Sequence, residues 1–274
     1  MSHTHHGLDP ARRQVKCPRP ALRVRNIDIT TSQKADELRE NQDLSWRSLY
    51  KIGAVLLPLA GLSFVASQAV QWVLNAYPSV GSSSGPAGLS NFVDTLDFIG
   101  ANANIFNLEY SLFTLGALAF IPAVLALAVR LSKVDKGVSA VGAAFALTGT
   151  GLVLLNAVTA FEEIQEASAW NSGCTTCGTY PIYAAAGAGF GSEANQIGFL
   201  VVVLAIALFS YLMLRGTDFG RISGLFGLSV AIVTVIAGFV SSSLSDTAYD
   251  IVSVSPFVLY TIWALTVTPR LRKL

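Results

Sequence analysis

Histidine, cysteine and charge are all scarce in this chain of 274 residues, and each shortage excludes chemistry. Its three histidines, His3, His5 and His6, fall in the first six residues. The rest of the chain therefore offers no imidazole for a haem, di-iron or copper site. A Ser-His-Asp hydrolase loses its base for the same reason. Of three cysteines, Cys17 stands alone, while Cys174 and Cys177 form a C-x-x-C. A structural zinc needs two further ligands, and the histidines are far away in sequence. Charged residues make up 13%, against roughly a quarter in globular proteins, so an ordinary soluble domain is excluded. There is no Walker A sequence, no dinucleotide fingerprint and no lysine inside an apolar run to carry a Schiff base. No cofactor and no metal are expected, and catalysis is disfavoured.

What the chain has instead is apolar length. Runs are read at 52–76, 108–131, 137–161, 195–215, 221–242 and 250–269. Each supplies about 20 residues, enough to span a hydrocarbon core of roughly 30 Å as a helix. Backbone groups have no water to bond there, so helices are the solution, and the runs lack the alternation of a membrane barrel. All 18 Lys and Arg residues fall before run one, between runs two and three, between runs four and five, or after run six. The segments after runs one, three and five, together with Glu109 and Asp250 at the starts of the following runs, carry nine acidic residues and nothing basic. Basic residues stay in the cytoplasm during insertion. The sequence thus predicts an all-α, polytopic protein of a prokaryotic plasma membrane, a six-transmembrane-helix bundle with N and C termini cytoplasmic. Its partner is the lipid bilayer, with anionic lipid attracted to the basic face; nucleic acid is not expected.

Three segments are predicted: a disordered basic cytoplasmic tail at 1–30, a juxtamembrane helix at 31–50, and the six-helix membrane domain at 51–270. Thr30 and Gln33 have capping-box spacing ahead of the helix, and Trp46 and Tyr50 suit the headgroup region. The first apolar run lacks a small-residue cleavage site and reads as an uncleaved anchor. Small residues recur four apart at Ala119 and Ala123, Gly142 and Ala146, Gly220 and Gly224, and Ser223 and Gly227. Such pairs let helix backbones approach, either within the chain or between copies. Two long outer loops are expected, at 77–107 and 162–194. In the first, Leu89, Phe92, Val93, Leu96 and Ile99 have helical spacing and predict a short amphipathic helix lying on the membrane interface.

Two groups of residues are candidates for function. Cys174 and Cys177 are placed outside, where thiols oxidise, and no nearby cation stabilises a thiolate. A short structural disulfide is the expectation, and redox activity is the alternative. Asn156, Thr159, Glu163 and Glu166 follow one another at three- or four-residue steps and make a polar stripe at the outer end of span three. Asn195 and Gln196 enter span four near the same boundary, with Gln68 and Gln71 in span one. Unpaired polar groups in a membrane are costly, so the stripe should face the bundle interior or water. It lines either a polar vestibule for a cation or proton, or ordinary inter-helix hydrogen bonds.

The stretch from Ser48 to Arg270 resembles a family of six-span prokaryotic integral membrane proteins known only as a domain of unknown function. The resemblance rests on Leu49-Tyr50-Lys51-Ile52-Gly53, Ile121-Pro122-Ala123, Asp135-Lys136-Gly137, Leu214-Arg215-Gly216 and Gly224-Leu225-Phe226-Gly227. It implies the six-span fold and supplies no catalytic or binding residue. Three functions stay open. The chain is a non-catalytic membrane protein, an accessory or structural subunit with other membrane subunits or a second copy as partners. Alternatively it is a secondary transporter or channel for a cation or proton, or an outward-facing thiol oxidoreductase using the C-x-x-C.

Overall fold

The computed structural model describes residues 24–75, 96–173, 180–240 and 246–273. Among these, six long helices follow in chain order: α1 (Val24–Asn75), α2 (Ala103–Leu131), α3 (Lys136–Asn171), α4 (Tyr180–Arg215), α5 (Gly220–Val240) and α6 (Asp246–Arg272). A helical segment at 96–101 precedes α2, and no strand is present among the described residues. Five stretches are long and apolar enough to cross a membrane: Trp46–Val73, Ala103–Leu131, Lys136–Asn171, Gly189–Arg215 and Gly220–Ala237. Their outer surfaces carry the apolar residues that lipid requires. Ile222 and Phe239 are each 80% exposed, and Val55, Leu62, Leu225 and Ile232 are more than half exposed. Water-soluble surfaces rarely tolerate so much contiguous apolar area.

Residues 1–46 and 47–274 form two compact units. The first includes the start of α1, which begins at Val24, inside the segment expected to be tail. The nearest prolines, Pro18 and Pro20, lie before it, so nothing in the sequence stops the helix at Thr30. The remainder of the expected tail, residues 1–23, lies outside the described residues.

The outer loops are shorter than hydropathy suggests. α3 continues to Asn171 rather than 161, and α4 starts at Tyr180 rather than 195, leaving only 172–179 between them. Hydropathy falls where the bilayer ends, but helix propensity does not. Glu, Gln and Ala dominate 160–169, and all are strong helix formers. At 1.5 Å per residue the 36-residue α3 is roughly 54 Å long, well beyond a hydrocarbon core of about 30 Å. The projecting end gives the 96–101 segment something to dock on. Leu96 and Ile99 bury against Ile164 and Ala167, the Trp170 indole N–H donates to the Asp97 carboxylate at 3.0 Å, and the Asn171 amide donates to its carbonyl at 3.1 Å. The apolar face expected to lie on lipid therefore meets protein; Leu89, Phe92 and Val93 lie outside the described residues.

Glycine closes the α3–α4 pair. A Cβ on Gly149 would stand 2.6 Å from the Gly198 carbonyl oxygen, and one on Gly198 would stand 2.8 Å from that of Gly149. Only hydrogen fits between backbones this close. Two turns back along α3, Gly142 receives the Phe209 ring. The small pairs seen in the sequence serve packing within the chain. Gly224 meets the Ser210 carbonyl, and Gly227 meets the Ser210 hydroxyl and the Trp263 indole.

The turns at one end of the bundle carry its basic residues. Asp135 caps α3 by accepting from the Val138 N–H at 3.0 Å, and the Ser139 hydroxyl donates to the Ala128 carbonyl at 2.6 Å, tying α3 back to α2. The buried guanidinium of Arg130 pairs with Asp218 at 2.6 Å, joining α2 to the α4–α5 turn. Trp263, fully buried on α6, donates its indole N–H to the Ser223 carbonyl on α5 at 3.1 Å.

Candidate functional site

At the opposite, acidic end, all six helices contribute to the wall of a cavity of about 740 Å³, α3 through Thr150 and Val153. That volume suits a drug-sized molecule. Four phenylalanines from four helices line it and touch in a closed circuit. Ring centroids lie 5.5 Å apart for Phe64 and Phe113, 6.2 Å for Phe113 and Phe199, 5.3 Å for Phe199 and Phe257, and 5.7 Å for Phe257 and Phe64. Edge-to-face contacts of this kind hold rings in fixed places. Rings so close leave no room between them for a hydrated ion. Tyr260 extends the collar, at 6.4 Å from Phe64 and 5.8 Å from Phe120.

Polar groups stand above and below this collar. Gln68, Gln71 and Trp72 from α1 meet Glu193, Asn195 and Gln196 from α4 along the cavity wall. Among the described residues, Glu193 is the one carboxylate in the lining, and no basic side chain joins it. Two hydroxyls satisfy themselves locally: Thr150 donates to the Ala146 carbonyl and Thr234 to the Val230 carbonyl. Two polar atoms do not. The Asn195 Oδ1 and the Tyr260 hydroxyl are buried and have no hydrogen-bond partner among the described residues. A buried polar atom left unpaired costs about 1–3 kcal/mol.

The residues singled out by sequence divide between this cavity and the α3–α4 seam. Asn195 lines the cavity together with Gln68, Gln71 and Gln196. Asn156 and Thr159 lie instead against Gly191 of α4, where an added Cβ would strike both side chains. The Thr159 hydroxyl also donates to the Asn156 carbonyl at 2.9 Å. Glu163 and Glu166, both half-buried, are outside the cavity lining. Glu163 stands within electrostatic reach of Tyr110, whose ring packs on Phe161 at 6.3 Å. Cys174 and Cys177 lie outside the described residues. No group of three metal-ligating side chains occurs among the described residues.

The collar escaped the sequence reading, because one aromatic residue per span carries no message until the rotation of each helix is known. Glu109 escaped too. It is 6% exposed at the start of α2, one turn from Phe113, and no ion pair holds it among the described residues. Its position four residues before Phe113 on a buried face was the available signal.

The chain matches no family model, no curated protein and no solved structure. Fold and cavity together define a class on their own: an all-helical membrane bundle with an aromatic, ligand-sized chamber toward its acidic end.

Proposed function

We propose that this protein is a non-catalytic, six-span protein of a prokaryotic plasma membrane, with both termini cytoplasmic, that binds a small amphipathic molecule in the aromatic chamber. The observation that carries the reading is the closed circuit of Phe64, Phe113, Phe199 and Phe257 beside Gln68, Gln71, Glu193, Asn195 and Gln196 in one ligand-sized chamber. No nucleophile stands beside a general base in the lining, so binding rather than chemistry is the use it supports. α6 is taken as the sixth span, and the confinement of basic residues to one end supports inside termini. Membership of the six-span family of unknown function belongs to the same proposal, as does service beside other membrane subunits or a second copy.

The test is native mass spectrometry of protein purified from its own membranes. Wild type should carry a non-covalent small-molecule adduct that Thr234→Trp, which fills the chamber, does not. Identical spectra for both proteins would refute the binding reading. Cation or proton transport is the second reading, favoured by the buried Glu109 carboxylate at the acidic end. Proton- or cation-driven flux in liposomes, lost in Glu109→Gln, would establish it over the first. The structure adds no support to thiol oxidoreductase activity.

A further inference from the structure

We infer that the ligand of this chamber is a lipophilic cation, of the quaternary ammonium or tetraarylphosphonium kind; the inference rests on the binding reading above and gives it a charge. Three observations converge. First, the wall is built from aromatic faces and edges: Phe64, Phe113, Phe199, Phe257, Tyr260 and, at the rim, Trp72. Aromatic rings attract a weakly hydrated cation through their quadrupoles, and tryptophan does so best. Second, among the described residues Glu193 is the only carboxylate in the lining, and it stands beside Gln196 with no basic residue of the lining to neutralise it. Third, the acidic end as a whole has no basic residue among its described side chains, while Asp97, Glu162, Glu166 and Glu193 add negative charge at that end. The field at the mouth therefore concentrates cations and repels anions.

The same features disfavour the other classes. A phosphorylated or carboxylated amphipath would enter a chamber with a carboxylate in its lining and no cation to receive it. A small hydrated metal ion would find one carboxylate and an apolar depth, where stripping its water is not compensated. A large organic cation carries little hydration and so enters readily. Its apolar body contacts the collar, and its charge lies between the rings and Glu193.

Tetraphenylphosphonium and tetraphenylborate provide the test, because they share a shape and differ in the sign of charge. Binding of each to the full-length protein in neutral detergent is measured by equilibrium dialysis. Thr234→Trp and Gln68→Trp, each checked for a monodisperse elution profile, supply the background of micelle partitioning. Wild type should hold tetraphenylphosphonium saturably above both filled variants, and about tenfold more tightly than tetraphenylborate. Glu193→Gln, an exposed position, should narrow that preference about threefold or more without altering thermal stability. Equal binding of the two ions, or preference for the borate, would overturn the cationic ligand while leaving a binding chamber in place. Binding of neither ion above the filled variants overturns it as well. If wild type also carries no adduct from its own membranes, the chamber itself is not a binding site.

Discussion

The glycine seams and the chamber of this bundle are built from the same helices and packed by opposite rules. Toward the basic end, Gly53 meets Ala126, Gly224 meets the Ser210 backbone, and Arg130 closes on Asp218. Toward the acidic end, four phenylalanines stand between four helices and hold them apart around a chamber of about 740 Å³. In lipid, helix association rests on van der Waals contact rather than on a hydrophobic gain, so side-chain size sets helix separation directly. Glycine brings backbones together, and a ring keeps them apart. Space for a ligand thus follows from where large and small residues are placed along each span.

The comparison is broken most severely by putting bulk into the closed seam. Gly149→Val places a Cβ 2.6 Å from the Gly198 carbonyl, a backbone atom that cannot turn aside. Overpacking of this kind costs about 1–3 kcal/mol, occasionally more, and the α3–α4 pair should separate. Thermal unfolding in detergent should show a loss of several degrees or no folded protein. A variant as stable as wild type would mean that the glycines do not set the spacing.

The next effect belongs to the basic end. Asp218→Asn removes one partner of a buried guanidinium, but Asp218 is itself 38% exposed, so water offsets part of the loss. A cost of about 1–2 kcal/mol is expected, below that of a fully buried pair. Unchanged stability across a salt series would reduce the pair to a surface contact.

A change of the opposite sign is expected at the acidic end, where the wall is incompletely satisfied. Tyr260→Phe deletes a buried hydroxyl that has no partner among the described residues, so stability should rise by about 1 kcal/mol. Affinity for a bound amphipath with a hydrogen-bonding group should fall by severalfold. A large stability loss would show that the hydroxyl is bonded within the protein. Smallest of all should be Glu163→Gln, at a half-buried position outside the chamber, which keeps shape and most hydrogen bonds. Its stability and ligand affinity should match wild type, as measured by unfolding and dialysis. A loss of cation-linked flux in liposomes would instead return function to the α3 stripe.

Much of this architecture was legible from composition and periodicity. The helices fall where the apolar runs fall, because a bilayer core admits little else. Helix ends were less legible. Glu162 to Ala169 reads as loop by hydropathy and forms helix in the structure, since the transfer cost that defines a span does not govern residues beyond it. The stripe from Asn156 to Glu166 was correctly seen as one face of one helix. What that face meets depends on how closely α4 approaches, and Gly191 and Gly198 decide that. The chamber was out of reach. Phe64, Phe113, Phe199 and Phe257 are ordinary apolar residues in four separate runs, and only their relative depth and rotation make them a collar.

The difference in access between the two ends can be read from two cysteines. In a background with Cys17, Cys174 and Cys177 changed to serine, Thr234→Cys places a thiol in the chamber wall, and Ser223→Cys places one at a buried α5 position beside Trp263. The purified proteins are treated with a small water-soluble methanethiosulfonate, and modification is followed by mass. The thiol at 234 should react at least tenfold faster than the one at 223, and tetraphenylphosphonium should slow it. Equal rates, with neither site protected, would contradict a chamber open at the acidic end of an otherwise closed bundle.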